Sequence, residues 1–258
     1  MPPEPGLGSI SHRHLHPDWD APVCALFSTR ADGVSLRAYE SLNLGAAVGD
    51  DPAAVAENRR RFQSMLTPAR PVWLRQVHGT RVLRLTQSDL DRTLPDADAC
   101  WTDEPGIACT VQVADCLPVL LATADGRAVA AAHAGWRGLA AGVLDATVAA
   151  LCEGSGTEPA RLHAWLGPCI GPEAFEVGAE VRDAFAADSE FLVYRPRPDG
   201  DPRWRADLAG LARARLRRLG LTLVSGGTWC TVSDASRFFS YRRDGVTGRL
   251  AAAVWRRG

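Results

Sequence analysis

Three short segments of this chain carry side chains that commonly bind transition metals. The candidate ligands are His78 in Gln-Val-His-Gly, Cys116 in Ala-Asp-Cys-Leu-Pro, and His133 in His-Ala-Gly-Trp-Arg-Gly. One thiolate and two imidazoles could form a three-ligand site that leaves zinc a fourth position for water or substrate, an arrangement typical of catalytic sites. The ligands are far apart in the sequence, unlike those of a zinc finger. By spacing alone, a core cysteine with two structural histidines is therefore an open alternative.

The charged residues exclude several kinds of chemistry. All 29 basic residues are Arg, which excludes Schiff-base catalysis by a lysine and phosphate binding by the lysine of a P-loop. Anionic groups must therefore be held by Arg or by backbone amides. The net charge is −1, without a basic patch, and no segment reaches the roughly 18 apolar residues of a membrane helix. The sequence predicts small-molecule substrates, no nucleic-acid or membrane partner, and a monomer or weak oligomer.

The cysteines and the N-terminus indicate a cytoplasmic protein. The seven Cys lack the paired spacing of a secreted disulfide scaffold, and the N-terminus lacks the pattern of a signal peptide. His12, His14 and His16 alternate in a Pro-rich stretch that is typical of a flexible terminus. We therefore predict a flexible segment over residues 1–20 and a single catalytic domain over residues 21–258.

Hydrophobic patterns indicate which elements position the candidate ligands. Four helices are predicted, at 52–65, 139–151, 178–187 and 206–219. Short apolar runs predict strands at 23–29, 72–77, 107–113, 118–122, 128–133, 161–166, 221–224 and 250–255. The three runs between 107 and 133 are too close for helical crossovers, so we expect them to pair in one antiparallel or mixed sheet. The Pro- and Asp-rich stretch 195–203 must be a loop. These patterns predict an α+β (mixed α/β) fold of mixed sheets flanked by helices.

Seven motifs together resemble one known family. The Asp-Cys-Leu-Pro and His-Ala-Gly-Trp-Arg-Gly segments are the most specific, and the order and spacing of all seven cover nearly the whole chain from Val23 onward. The other five are Ser-Thr-Arg at 28–30, Ser-Leu-Asn-Leu-Gly at 41–45, Glu-Asn-Arg at 57–59, Gln-Val-His-Gly at 76–79 and Phe-Phe-Ser-Tyr-Arg at 238–242. The chain resembles the YfiH family, also called the laccase-domain or multicopper polyphenol oxidoreductase family.

This resemblance implies a sandwich fold and a catalytic zinc ion bound by His78, Cys116 and His133. It also implies phosphorolysis of adenosine, inosine and methylthioadenosine to the free base and a ribose 1-phosphate, with adenosine deamination as a second activity. A copper-dependent polyphenol oxidase is an alternative function, since one Cys with two His is also the ligand set of blue-copper sites. Six His, three of them in the N-terminal tail, are too few for a multicopper oxidase.

Five further residues are candidates for binding substrate. Arg30, Arg59 and Arg137 lie in matching motifs and could hold phosphate. Asp115 could accept a ribose hydroxyl or orient a ligand histidine, and Asn43 could contact substrate. Each also has a structural interpretation: Arg137 could stack on an aromatic ring, Asn43 could cap a turn, and Asp115 could bond backbone amides.

Two other functions are compatible with the same residues. Cys116 could be the nucleophile of an amide hydrolase, with His133 as its base, a reaction that has been linked to the editing of peptidoglycan precursors in bacterial members of the family. A non-catalytic binding protein is the second alternative, but the sequence lacks a coiled coil or a basic nucleic-acid patch.

Overall fold

A computed structural model describes residues 14–257. Its six α-helices are α1 (Pro52–Met65), α2 (Trp136–Ala141), α3 (Val143–Ser155), α4 (Ala179–Ala184), α5 (Leu208–Arg218) and α6 (Tyr241–Asp244). Its strands are β1 (Val23–Phe27), β2 (Arg70–Trp73), β3 (Val82–Arg84), β4 (Ala99–Thr102), β5 (Ile107–Val113), β6 (Leu117–Thr123), β7 (Val129–Ala134), β8 (Leu162–Leu166), β9 (Glu176–Val177), β10 (Leu192–Tyr194), β11 (Trp204–Ala206), β12 (Leu223–Gly226) and β13 (Leu250–Arg256).

The strands form three sheets. The four-stranded sheet has the order β1-β13-β5-β2, and the six-stranded sheet has the order β12-β8-β6-β7-β4-β3. Both are mixed, because β2 pairs with β5 in parallel, as do β12 with β8 and β3 with β4, while their other pairs are antiparallel. The small third sheet, β10-β11-β9, is antiparallel.

The two large sheets pack face to face, and helices cover their outer faces. Along β13, Leu250, Ala252 and Val254 face the six-stranded sheet. The intervening Ala251 and Ala253 pack with Phe62 of α1. Along β6, likewise, Leu120 lies between the sheets whereas Val119 packs with Leu144 of α3. Both faces of these strands are therefore buried, which explains their continuous apolar sequence.

The predicted α+β fold class is confirmed, and several elements match closely. α1 and β5 have the predicted boundaries. Asp51 caps α1 by accepting a hydrogen bond from Ala53 N at 2.9 Å, and Pro52 occupies the first helical position. The predicted loop at 195–203 joins β10 to β11.

Two predictions about elements are wrong. The helix expected over 139–151 is divided at Gly142, whose φ of +97° separates α2 from α3. β5 does not pair with β6, because the chain crosses at residues 114–116 from the four-stranded sheet to the six-stranded sheet, and only β6 and β7 pair directly. Cys116 therefore lies at the point where the chain passes from the four-stranded sheet to the six-stranded sheet.

The first described residues pack against β1. Leu15 and Phe27 exchange backbone hydrogen bonds of 3.0 and 2.8 Å, and His14 is buried, so residues predicted as flexible lie against β1 at this point. The predicted flexibility of residues 1–13, including His12, lies outside the described residues. Within residues 14–257, no helix has the length and apolar character needed to cross a membrane.

Candidate metal centre and adjoining cavity

The fold brings His78, Cys116 and His133 together. Their ligand atoms all lie within 4.8 Å of one another, and the Cys116 Sγ lies 3.7 Å from His78 Nε2. The two imidazole rings meet edge to face with their centroids 4.8 Å apart. His133 is buried, Cys116 is partly buried and His78 is exposed. Within residues 14–257, this is the one group of three or more His, Cys, Asp or Glu close enough to hold a metal ion.

Each ligand comes from a different structural setting. His133 lies near the end of β7, and Cys116 lies in the crossover between the two sheets. His78 lies in the loop between β2 and β3 with a φ of +61°, in the left-handed region that non-glycine residues rarely occupy. Gln76 fixes the start of this loop against β5, because its side chain exchanges hydrogen bonds of 2.8 and 2.7 Å with the backbone of Gln112.

Gly135, between β7 and α2, allows the ligands to approach. A Cβ atom there would lie 2.7 Å from His78 Cδ2 and 3.0 Å from Cys116 Sγ. Its φ of −63° is accessible to any residue, so the requirement for glycine comes from this crowding and not from backbone conformation.

The carboxylate of Asp98 connects two of the ligands. Asp98 is fully buried immediately before β4. Its Oδ1 lies 2.8 Å from His133 Nδ1, and the carboxylate also accepts hydrogen bonds from three consecutive amides: Val77 N at 3.1 Å, His78 N at 2.8 Å and Gly79 N at 2.7 Å. Because Nδ1 faces Asp98, the other ring nitrogen of His133, Nε2, is free for the cluster.

The mutual contacts shift the acidities of this group. Burial alone would raise the pKa of the Cys116 thiol, but hydrogen bonds with His133 and His78 outweigh burial and lower that pKa to about 6. Burial would lower the pKa of His133, yet contacts with Asp98 and Cys116 raise it to about 9. These contacts therefore favour the thiolate form of Cys116, the form that binds metals and attacks electrophiles.

The donor set fits zinc. A thiolate and two imidazoles are borderline ligands of the type that zinc prefers, and Asp98 supplies the carboxylate contact that commonly orients a ligand histidine. The same three donors also suit copper. Within residues 14–257 no Met lies at this centre to act as the weak axial ligand of a blue-copper site, because Met65 packs with the hydrophobic cluster beneath α1.

A cavity of about 740 Å³ adjoins the three ligands. This volume lies within the range of small-molecule sites. Four arginines line it (Arg59, Arg75, Arg137 and Arg249), and no Asp or Glu is among its described lining residues. Its wall also contains the aromatic side chains of Trp73 and Tyr241. The cavity therefore offers positive charge for an anion together with flat apolar surfaces for a ring.

Three of the four arginines form no ion pair with a carboxylate of residues 14–257. Arg75 pairs with Asp96. The ion pairs found in residues 14–257 do not include Arg59, Arg137 or Arg249. Arg59 stacks on Trp73, with its guanidinium 4.3 Å from the ring centroid, and Arg137 lies 4.4 Å from the Trp136 ring.

Arg249 is held close to the metal ligands. Its Nη1 donates hydrogen bonds of 3.1 Å to the carbonyls of Thr247 and Gly248. Arg249 and Arg59 are both half-buried, and this burial lowers the pKa of each guanidinium group. A charge in such an environment interacts more strongly with an incoming anion than one in bulk water.

Arg30, one of the predicted substrate-binding residues, does not line the cavity. Arg30 donates hydrogen bonds to the carbonyls of Glu40 at 2.7 Å and Ala235 at 3.0 Å and stacks on Phe239. These contacts join two loops and support a structural role.

Asn43 and Asp115 also lie outside the lining. Asn43 is buried, and its Oδ1 accepts hydrogen bonds from Gly45 N at 2.9 Å and Arg249 N at 2.8 Å. The two carboxylate oxygens of Asp115 accept 2.6 Å hydrogen bonds from the Thr231 hydroxyl and from Arg242 N. The side chain of Asn43 thus bonds the backbone of two lining residues, and that of Asp115 bonds a backbone amide and a hydroxyl, contacts that fit a structural role for each.

Two important residues were missing from the sequence prediction. Asp98 is one of 30 acidic residues, and no motif in the sequence distinguishes it from the others. Arg249 lies immediately before the alanine-rich strand β13 and outside the seven motifs. No spacing in the sequence relates either residue to the ligands, because their proximity arises from the packing of the sheets.

Comparisons with known proteins find one family and several similar proteins. The family described as multi-copper polyphenol oxidoreductase laccase matches residues 24–257. A Pseudomonas aeruginosa protein named purine nucleoside phosphorylase is 54% identical over 244 residues, covering 93% of this chain and 97% of the relative. The Escherichia coli protein named purine nucleoside phosphorylase YfiH is 49% identical over 242 residues, with 93% and 97% of the two chains covered.

Solved structures show the same fold. A Neisseria meningitidis protein superposes with a TM-score of 0.87 at 45% identity, covering 95% of this chain and 100% of its own. YlmD from Geobacillus stearothermophilus superposes with a TM-score of 0.85 at 32% identity, covering 92% and 93%.

Proposed function

This chain belongs to the multi-copper polyphenol oxidoreductase laccase family, as its motifs predicted, and on that premise we propose that it is a zinc-dependent purine nucleoside phosphorylase. The proposed substrates are adenosine, inosine and methylthioadenosine. The products are the free base and ribose 1-phosphate or methylthioribose 1-phosphate. The names of the bacterial relatives support the reaction class.

One observation supports phosphorolysis most directly: cationic side chains without carboxylate partners share a cavity with the metal donors. Arg59, Arg137 and Arg249 line this cavity, and the ion pairs of residues 14–257 do not include them, so each can pair with an anionic ligand. Inorganic phosphate is a small dianion that guanidinium groups bind through paired hydrogen bonds. Tyr241 offers an exposed aromatic surface on which a purine could pack, whereas the Trp73 ring is already stacked with Arg59.

Phosphorolysis makes one bond and breaks another. A phosphate oxygen bonds to C1′ of the sugar, and the bond from C1′ to the base nitrogen breaks with its electron pair leaving on the base. The base then takes up a proton. The arginines would hold phosphate beside C1′ and balance its charge, so that two reactants approach in one orientation. A zinc ion held by His78, Cys116 and His133 would supply Lewis acidity at the edge of this cavity.

We also propose adenosine deamination as a second activity. Chromatography of adenosine incubated with the protein distinguishes the two reactions. Phosphorolysis releases adenine, whereas deamination forms inosine, which the same enzyme would cleave to hypoxanthine when phosphate is present. Adenine in the presence of phosphate, with a smaller combined amount of inosine and hypoxanthine, is the expected result. Adenosine recovered unchanged under every condition would contradict both activities.

We expect the substitution Arg249→Gln to weaken phosphate binding. A hydrogen bond to a charged group contributes about 1.5–3 kcal/mol, which corresponds to a rise of about 10–100-fold in the KM for phosphate. The bound metal should be unchanged, because Arg249 is not one of the ligands. Steady-state kinetics with varied phosphate, together with metal analysis, measure both effects.

Arg30→Gln is the matched control for this prediction. Arg30 bonds two backbone carbonyls outside the cavity, so its loss should lower the melting temperature and leave the KM for phosphate within about twofold of wild type. Equal KM values in wild type and Arg249→Gln would show that Arg249 does not hold phosphate.

A second candidate function rests on a separate observation. Asp98, His133 and Cys116 form a chain of contacts in which a carboxylate orients an imidazole beside a thiolate, the arrangement of a cysteine hydrolase. In that case zinc would inhibit the enzyme. Amidase activity on peptidoglycan precursors that increases after chelation would favour the hydrolase, and an unchanged rate in Cys116→Ser would exclude it.

The identity of the metal and the cellular setting are also proposals. Elemental analysis of purified protein should find zinc, and intense thiolate-to-copper absorption on adding copper would instead favour a copper site. All seven cysteines are free thiols, which supports a reducing cytoplasm.

A further inference from the structure

We infer that Asp98 is a positioning residue that organises the metal site before the metal binds. This inference rests on the metal-binding part of the proposed function and is independent of the nucleoside substrate. It follows from the contacts of a single carboxylate that lies outside the metal donor set.

The carboxylate of Asp98 has its full set of partners. An ionised carboxylate has about four acceptor positions. Oδ1 contacts His78 N and His133 Nδ1, and Oδ2 contacts Val77 N and Gly79 N, at 2.7–3.1 Å. Since Asp98 has no solvent exposure, no water competes for these positions. Its hydrogen bonds are therefore directed entirely at the segments that carry two of the ligands.

The loop that carries His78 needs such a partner. Three consecutive backbone N–H groups converge on the carboxylate, and a concavity of this kind binds anions. His78 adopts a φ of +61°, which costs a non-glycine residue free energy unless its surroundings hold it there. The Asp98 carboxylate supplies that restraint from within the protein, so the loop does not depend on a metal ion to keep its shape.

Asp98 also fixes the position and orientation of His133. Its backbone carbonyl accepts a hydrogen bond from His133 N at 2.7 Å, while its side chain contacts Nδ1 of the same residue. The imidazole is thus held at both its backbone and its ring, with Nε2 directed towards the metal position. We therefore assign Nε2 as the nitrogen of His133 that binds the metal.

The substitution Asp98→Asn tests this role through metal affinity. Asn keeps one acceptor oxygen but replaces the other with an NH2 donor. It can therefore accept the two contacts of one Asp98 oxygen and presents N–H groups to the two donors that bonded the other. Loss of a partner that orients a metal ligand typically weakens metal affinity about 10–100-fold. Competition between the full-length protein and a chromophoric zinc chelator measures this change without any nucleoside.

Asp188→Asn is the matched control. Asp188 is also a largely buried carboxylate, but it pairs with Arg218 of α5 and does not line the cavity. It should lower the melting temperature and leave zinc affinity unchanged. Zinc affinity in Asp98→Asn within about twofold of that of Asp188→Asn would overturn the inference.

Hydrogen exchange of the wild-type protein tests the inference even where Asp98→Asn fails to fold. In protein stripped of metal, the amides of Val77, His78 and Gly79 should stay protected, because Asp98 accepts their hydrogen bonds. Exchange of these amides at the rate of an unfolded peptide would show that the metal organises the loop. Wild-type protein that binds no zinc would instead contradict the proposed function, while protection of the amides would still support the role of Asp98.

Discussion

Replacing Cys116 with alanine is expected to remove the metal and nucleoside cleavage together. The thiolate is one of three donors, and two imidazoles alone hold zinc much more weakly than the full set. Metal ions contribute several kcal/mol to such reactions, and about 4 kcal/mol corresponds to a rate loss of about a thousandfold. Elemental analysis and base release from inosine should therefore fall together.

Cys152→Ala controls for the loss of a thiol elsewhere. Cys152 lies in α3 and packs against the hydrophobic core away from the cavity. Its substitution should leave metal content and activity at wild-type levels. A Cys116→Ala protein that is free of metal and fully active would show that the metal has no part in catalysis.

The second large effect is expected from Gly135→Ala, although this change adds only a methyl group. That methyl carbon would lie 2.7 Å from His78 Cδ2 and 3.0 Å from Cys116 Sγ, which is too close for either neighbour to remain in place. Overpacking of this kind costs about 1–3 kcal/mol, and here the ligands must move apart to relieve it. We expect zinc affinity to fall about 10–100-fold, measured by competition with a chelator.

Gly79→Ala is the matched control in the same site. A Cβ at Gly79 would lie 3.5 Å from the nearest atom, Asp98 Oδ2, which is an ordinary contact, and the backbone N–H that binds Asp98 is kept. Zinc affinity close to wild type in Gly79→Ala and strongly reduced in Gly135→Ala is the expected pair of results. Equal affinities in the two variants would contradict the proposed crowding.

Part of the fold could be predicted because local signals were sufficient. Asp51 and Pro52 mark the start of α1 through capping and a preset φ, and these effects operate within one helical turn. The four-residue strand β4 and the three-residue strand β3 lack such a signal, because their stability comes from neighbours distant in the sequence. The placement of β5 and β6 in different sheets depends on packing that periodicity does not record.

For the candidate site, too, residues in local motifs could be predicted, whereas residues placed by packing could not. His78, Cys116 and His133 lie in distinctive motifs, and the structure brings them together. Arg249 and Asp98 carry no motif that relates them to the ligands. They reach the site through the order of strands in two sheets, which a pattern of residue types does not specify.

The most direct test is chromatography of inosine incubated with metal-analysed protein, with and without phosphate, before and after removal of the metal. We expect hypoxanthine and ribose 1-phosphate in the presence of both phosphate and metal, and loss of both products when either is withheld. Hypoxanthine released at the same rate without phosphate, or by protein stripped of metal, would contradict this expectation.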